Sequence, residues 1–189
     1  MPTNKVLFLS VDHLRDNTVI NKNVDSELLE PFILLAQNIR IEQTIGTLLY
    51  NEIVTQIQGD SLSVLNKTLV DDYIQDALVH WAFYECLPFL RYKVMNNNVV
   101  SKTAENSTPL SREEAQDLRE EIRNTAEFYT ERLIDYIKNN TASFTEYTTN
   151  TGSDVTPDTV NYYSGMNLEY DRNQRRDITL DDFLTPDLK

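Results

Sequence analysis

A single cysteine, Cys86, rules out an internal disulfide framework and fits a reducing compartment. Four glycines in 189 residues are too few for a turn-dense β fold, and no Gly-rich phosphate loop is present. The two histidines, His13 and His80, are far apart in sequence, so no spaced metal-ligand cluster can be read. Basic residues are scarce: 17 Lys and Arg face 30 Asp and Glu, a net charge of −13. That argues against a nucleic-acid binder relying on phosphate neutralisation, which needs a cationic face. It is compatible with a protein that DNA slides past. Long hydrophobic runs are also missing. The stretch Val6–Leu9 is too short for a signal-peptide core, and Ala77–Leu90, which contains His80 and Glu85, is too short to span a bilayer. A soluble protein made inside a cell, without membrane contact, is expected.

What is present is helical periodicity. Ser10 caps a single turn ending near Arg15. Asp25 opens a long helix with the stripe Leu28, Phe32, Leu35/Ala36 and Ile39, and Pro31 predicts a kinked or separately formed first turn. Gly46 breaks the run. A second helix over Thr47–Gln58 aligns Leu49, Ile53 and Ile57 and stops at Gly59. Asn66 can cap a third helix carrying Leu69/Val70, Tyr73/Ile74, Ala77, Trp81 and Tyr84. From Ala77 to Phe89 it is apolar on nearly all sides, the pattern of a central buried helix. Pro88 should bend or end it, with Phe89–Val94 continuing beyond. Asn96–Asn98 reads as a turn, and residues 99–109 can hold a short extended segment. Ser111 and Glu114 form a capping box that opens the clearest helix, reaching about Asn140. At 1.5 Å per residue that helix is about 45 Å long, more than a three-helix core needs. Glu120–Arg123 and Asp135–Lys138 are spaced to pair on its charged face.

No catalytic constellation emerges. His80 and Cys86 sit six residues apart on different faces of one helix and read as a boundary histidine and a small buried hydrophobe. His13 belongs to a solvated turn. The pairs Glu113–Glu114, Glu120–Glu121 and Asp181–Asp182 are adjacent, which does not converge two carboxylates on one atom. Trp81–Tyr84 reads as core. No catalytic residue, cofactor or metal is expected. An enzyme would need a pocket assembled from scattered residues.

From about Thr145 the periodicity ends. A Thr/Asn-rich tether over 145–159 precedes two adhesive clusters, Val160–Tyr170 and Ile178–Leu184, with a mixed-charge stretch containing Arg172, Arg175 and Arg176 between them. Tyr162, Tyr163, Met166, Leu168, Phe183 and Leu184 are the candidate partner-interface residues. Each buried large side chain contributes about 1.5–3 kcal/mol, while ordering costs about 1–2 kcal/mol per residue. The balance is close, so the arm is expected to order on a neighbouring subunit rather than alone. The resulting expectation is an all-α protein: a small helical bundle over 1–144 with one long helix, and an extended C-terminal arm over 145–189.

The order of elements carries a resemblance. Val24-Asp25, Glu30–Gln37 and Ile41–Tyr50 resemble the first helices of tailed-phage head–tail connector (adaptor) proteins, in which an Ala-centred helix ends in Gly before a second short helix. Ile74–Leu90 looks like that family's buried core helix, in the version found in crAss-like and related phages of Bacteroides. Phe144–Tyr147 and Tyr162–Leu168 are similar to that subgroup's tail. The match is good over residues 8–95 and looser elsewhere. The resemblance implies a non-enzymatic virion protein at the head–tail junction, assembled in the host cytoplasm. It would form a homo-oligomeric ring, typically of twelve copies, between the portal protein and the next neck or tail ring, lining a channel for DNA ejection. The rival reading is a DNA-packaging ring protein such as a small terminase subunit. That alternative predicts salt-dependent duplex binding, which the acidic balance and the lack of a helix-turn-helix pattern oppose.

Overall fold

The computed structural model describes residues 5–95, 98–101, 111–149 and 154–158. Eight α-helices are described: α1 (Val11–Asp16), α2 (Ser26–Ala36), α3 (Glu42–Ile45), α4 (Thr47–Gln58), α5 (Val64–Leu69), α6 (Gln75–Arg91), α7 (Arg112–Asn139) and α8 (Thr145–Thr148). Two π-helical turns, π1 (Gln37–Ile41) and π2 (Val70–Ile74), join α2 to α3 and α5 to α6. The expected all-α bundle with one long helix is what forms. Its single described hairpin, β1 (Tyr92–Met95) with β2 (Asn98–Ser101), pairs antiparallel with Tyr92 opposite Ser101.

The core is a helix sandwich around α6. Leu78 and Ala82 are fully buried, and α6 packs on α2 on one side and on α7 on the other. Tyr73 stacks on Tyr136 with ring centroids 3.9 Å apart, and His80 stacks on Tyr129 at 5.0 Å. Partners that rise along α6 while falling along α7 make the two helices antiparallel. Buried positions of α7 begin at Ile122 and continue through Ala126, Leu133, Ile134 and Ile137. Its start is fixed by the capping box: Ser111 Oγ accepts from Glu114 N–H, and Glu114 Oε2 accepts from Ser111 N–H.

Several local expectations change. Pro31 does not divide α2. The carbonyl it leaves without an amide partner belongs to exposed Glu27, which water can satisfy. The core face of α2 is Leu29, Ile33 and Ala36, one residue from the stripe read in the sequence. Asn66 does not cap α5; Ser63 Oγ does, accepting from Asn66 N–H at 3.1 Å, while the Asn66 side chain is buried against Gln56. Pro88 does not end α6, which continues to Arg91 and then gives way to β1 rather than to more helix. On the charged face of α7, Arg123 pairs with Glu127 at 3.1 Å.

The largest correction concerns residues 145–149 and 154–158, expected as part of a tether beyond a boundary at 144. Phe144 and Tyr147 are buried, and α8 packs on α4. The cause lies in Gly46, whose φ of 79° and ψ of 155° break the helix between α3 and α4. The break separates the Gln43 carbonyl from the Thr47 amide, an i,i+4 pair in an unbroken helix. Residues 155–158 satisfy both groups. Thr47 N–H donates to the Val155 carbonyl at 3.1 Å, and Asp158 N–H donates to the Gln43 carbonyl at 3.0 Å. Tyr147 Oη donates to the Asp158 carbonyl at 3.1 Å, tying α8 to the same segment. Residues 145–149 and 155–158 therefore pack with the helical body.

Candidate interaction surface

Two polar anchors shape the body. Gln37, fully buried at the start of π1, accepts from Phe8 N–H at 2.9 Å. Its Nε2 donates to the Val6 carbonyl at 3.0 Å and to Tyr50 Oη at 2.8 Å. Gln75, just after π2, donates to the Phe8 carbonyl at 2.9 Å. The N-terminal segment thus sits on the two π turns through hydrogen bonds that a hydrophobic reading of the sequence does not register. The second anchor is Arg40. Its guanidinium lies 4.2 Å from the Trp81 ring centroid and pairs with Glu85 at 3.1 Å. Trp81 Nε1 donates to Thr130 Oγ1 at 2.8 Å, and Arg119 caps the neighbouring Tyr84 ring at 4.1 Å. The spacing of Arg40 and Trp81 in the sequence carries no signal for this ladder, which only the packing of π1 on α6 brings together.

The groups most suited to chemistry are not brought together. His80 is half-buried against Tyr129, and burial lowers its pKa while Asp76 opposes the shift. Cys86 is buried with its thiol against the Phe83 carbonyl, and burial pushes its pKa to about 12, which keeps it a thiol at neutral pH. His13 lies on α1, apart from both. Glu114 serves the α7 cap, and Ser111 hydrogen bonds hold its carboxyl below the usual range. Glu120 and Glu121 are both exposed. A shallow cleft lined by Leu9, Ser10, Asp12, Ser26 and Glu30 contains no histidine or cysteine. Among the described residues no cluster of His, Cys, Asp or Glu could hold a metal ion, and no helix is long and apolar enough to cross a membrane.

The surface feature that stands out is on α2. Besides its core face, the helix carries a second apolar row, Leu28, Phe32 and Leu35, at spacings of four and three residues, and Ile39 of π1 follows four residues later. These are the positions the sequence pattern assigned to the core. Leu28 and Phe32 are half-buried, while Leu35 is 39% and Ile39 38% exposed. Phe89 of α6, 49% exposed, extends the row through a 4.8 Å ring contact with Phe32. Exposed Val19, Val64 and Phe128 lie outside this row, and scattered single apolar residues are ordinary on a protein surface. A contiguous row is a candidate for contact with another surface. The other candidate interface residues, Tyr162, Tyr163, Met166, Leu168, Phe183 and Leu184, lie outside the described residues, as do Arg172, Arg175 and Arg176.

A family model covers residues 41–157, well over half of the chain. The chain belongs to DUF6712, a family of unknown function. No curated protein and no solved structure matches it. The DUF6712 span begins at Ile41, the last residue of π1, and ends at Pro157. It therefore contains the Gly46 break together with most of the segment that closes it, and all of α6 and α7. The row from Leu28 to Ile39 precedes that span, and the adhesive clusters follow it.

Proposed function

We propose that this protein is a structural subunit of a tailed-phage neck, forming a ring that joins the portal to the next neck or tail component. The observation that carries the reading is the second apolar row, in which Leu28 and Phe32 of α2 are half-buried and Leu35 of α2 and Ile39 of π1 are partly exposed, beside an otherwise well-filled core. A helix with one face in its own core and a second apolar face partly exposed is suited to side-by-side packing of copies. The net charge of −13 supports the same reading, because an acidic ring repels DNA passing through its channel. The head–tail connector resemblance supplies the assembly context, and DUF6712 membership leaves the function open. In this reading the ring binds no metal or cofactor and performs no catalysis.

The experiment is mass measurement by light scattering on the purified full chain, alone and with a portal ring. A monomer or weak oligomer alone, becoming a ring on the portal, is the expected result. Tight duplex-DNA binding with a steep salt slope would instead favour a packaging protein.

A further inference from the structure

Unmatched charges of opposite sign lie on two sides of α7. Where π1, α6 and α7 meet, Arg40 and Arg119 share the Tyr84 ring, at 5.9 and 4.1 Å from its centroid. Arg40 is matched by Glu85 and Arg123 by Glu127, both at 3.1 Å. Arg119 has no carboxylate partner among the described residues, and its buried Nε lacks a hydrogen-bond acceptor there. Its own helix offers none, because the positions three and four residues away are Ala115, Gln116, Ile122 and Arg123. The side of α7 turned away from α6 is the reverse. Asp117, Glu120 and Glu121 are exposed and have no ion-pair partner among the described residues. Phe128, 61% exposed, stands on the same face. Glu120 cannot turn to Arg119, since neighbours on a helix point about 100° apart.

The arginine seam continues into the apolar row. Ile39 adjoins Arg40, and Glu85, the partner of Arg40, lies one turn of α6 before Phe89, which touches Phe32. One surface therefore runs from Phe32 past Leu35 and Ile39 to Arg119.

We propose that a second copy of this chain lays the outer face of its α7 on this surface, with Phe128 against Leu35 and Ile39 and Glu120 and Glu121 at Arg119. Along α7, Glu121 and Phe128 are about 10 Å apart at 1.5 Å per residue. That span is comparable to the 5.9 and 4.1 Å steps that lead from Arg40, beside Ile39, across the Tyr84 ring to Arg119. Opposite charges also select this register between two bodies that each carry −13. The two patches are different parts of one molecule, so the contact is heterologous. Each copy gives its α7 to one neighbour and receives the α7 of another, and the series forms a ring where the rotation closes. Closure rests on the neck-ring reading, whereas the pairwise contact does not.

The test uses full chains with one added cysteine each, Leu35→Cys or Phe128→Cys, oxidised at high protein concentration. Both positions are exposed, and the native Cys86 is buried and does not compete. A mixture of the two variants should form disulfide dimers several-fold faster than either variant alone. Fastest dimerisation of Leu35→Cys with itself would show the row meeting the same row of another copy and overturn the proposal. Equal rates in all three samples, or no dimers, would overturn it as well. Charge reversal uses the same readout. Arg119→Glu in the Leu35→Cys chain should slow the mixed cross-link several-fold, and Glu120→Arg with Glu121→Arg in the Phe128→Cys chain should restore it. A rate that neither reversal changes would contradict the placement at Arg119. Because cross-linking is read on the free chain, its failure is separable from failure to form a ring on the portal.

Discussion

Thr47 and Val155 exchange two hydrogen bonds across 108 positions of sequence: Thr47 N–H to the Val155 carbonyl at 3.1 Å, and Val155 N–H to Thr47 Oγ1 at 2.9 Å. The exchange exists because Gly46 interrupts the helix and exposes groups that a continuous helix would pair. Thr47→Val keeps the shape and removes the acceptor, so it should cost about 0.5–1.5 kcal/mol in denaturant unfolding. Thr47→Ser should recover most of that loss. Gly46→Ala forces a side chain into backbone angles that only glycine adopts readily, and should cost about 1–3 kcal/mol.

Gln37 is the buried polar residue on which the N-terminal segment depends. Gln37→Leu fits the space but strands the Phe8 amide and the Val6 carbonyl. The expected loss is about 2 kcal/mol, from the penalty for buried groups without partners. Hydrogen exchange should show faster exchange at Phe8 in the variant, with α7 amides little changed.

Arg40 joins π1 to α6 through Trp81 and Glu85. Arg40→Ala removes the stack and leaves Glu85 without its partner, with an expected cost of about 1.5–3 kcal/mol. Arg40→Lys keeps the charge and loses the planar stack, so it should rescue only part. Trp81 is the one tryptophan in the chain, so its emission reports the local change directly.

Much of this framework is legible in the sequence where one residue type decides the outcome. Gly46 and Gly59 bound α4 as read, and Ser111 with Glu114 fixes the start of α7 because a capping box has few alternatives. The α2 face was not legible. Leu28, Phe32, Leu35 and Ile39 fit helical spacing as well as Leu29, Ile33 and Ala36 do, and only packing against α6 chooses between them. Asn66 and Ser63 are both good capping residues, and the demand of Gln56 for a buried partner decides. The segment 145–158 reads as a tether because its hydrogen bonds answer a break more than a hundred residues earlier. Sequence periodicity carries no trace of such a pairing. The row became a candidate surface only when the structure left Leu35 and Ile39 partly exposed.

Glu52 supplies a pH test. Burial and then the neighbouring Glu146 of α8 raise its pKa, with the hydrogen bond from Asn66 opposing. A carboxyl with a raised folded-state pKa binds protons more readily folded than unfolded. Stability is therefore gained as pH falls through the raised value toward the unfolded one and lost as pH rises through the same window. Glu52→Gln removes the charge and keeps the acceptor for Gln56 and Asn66. It should raise the melting temperature at pH 7, and the advantage should vanish under acidic conditions where Glu52 is protonated in both states. An advantage that persists at low pH would mean that charge is not its source.

The neck-ring reading is tested most directly by light scattering of the full chain mixed with a portal ring, beside the Leu35→Asp, Ile39→Asp double variant. The wild-type chain should add a ring's mass to the portal. The double variant should melt at nearly the same temperature, since both positions are exposed, yet fail to assemble. A wild-type chain that stays monomeric and binds neither the portal nor any other neck component would contradict the proposed function.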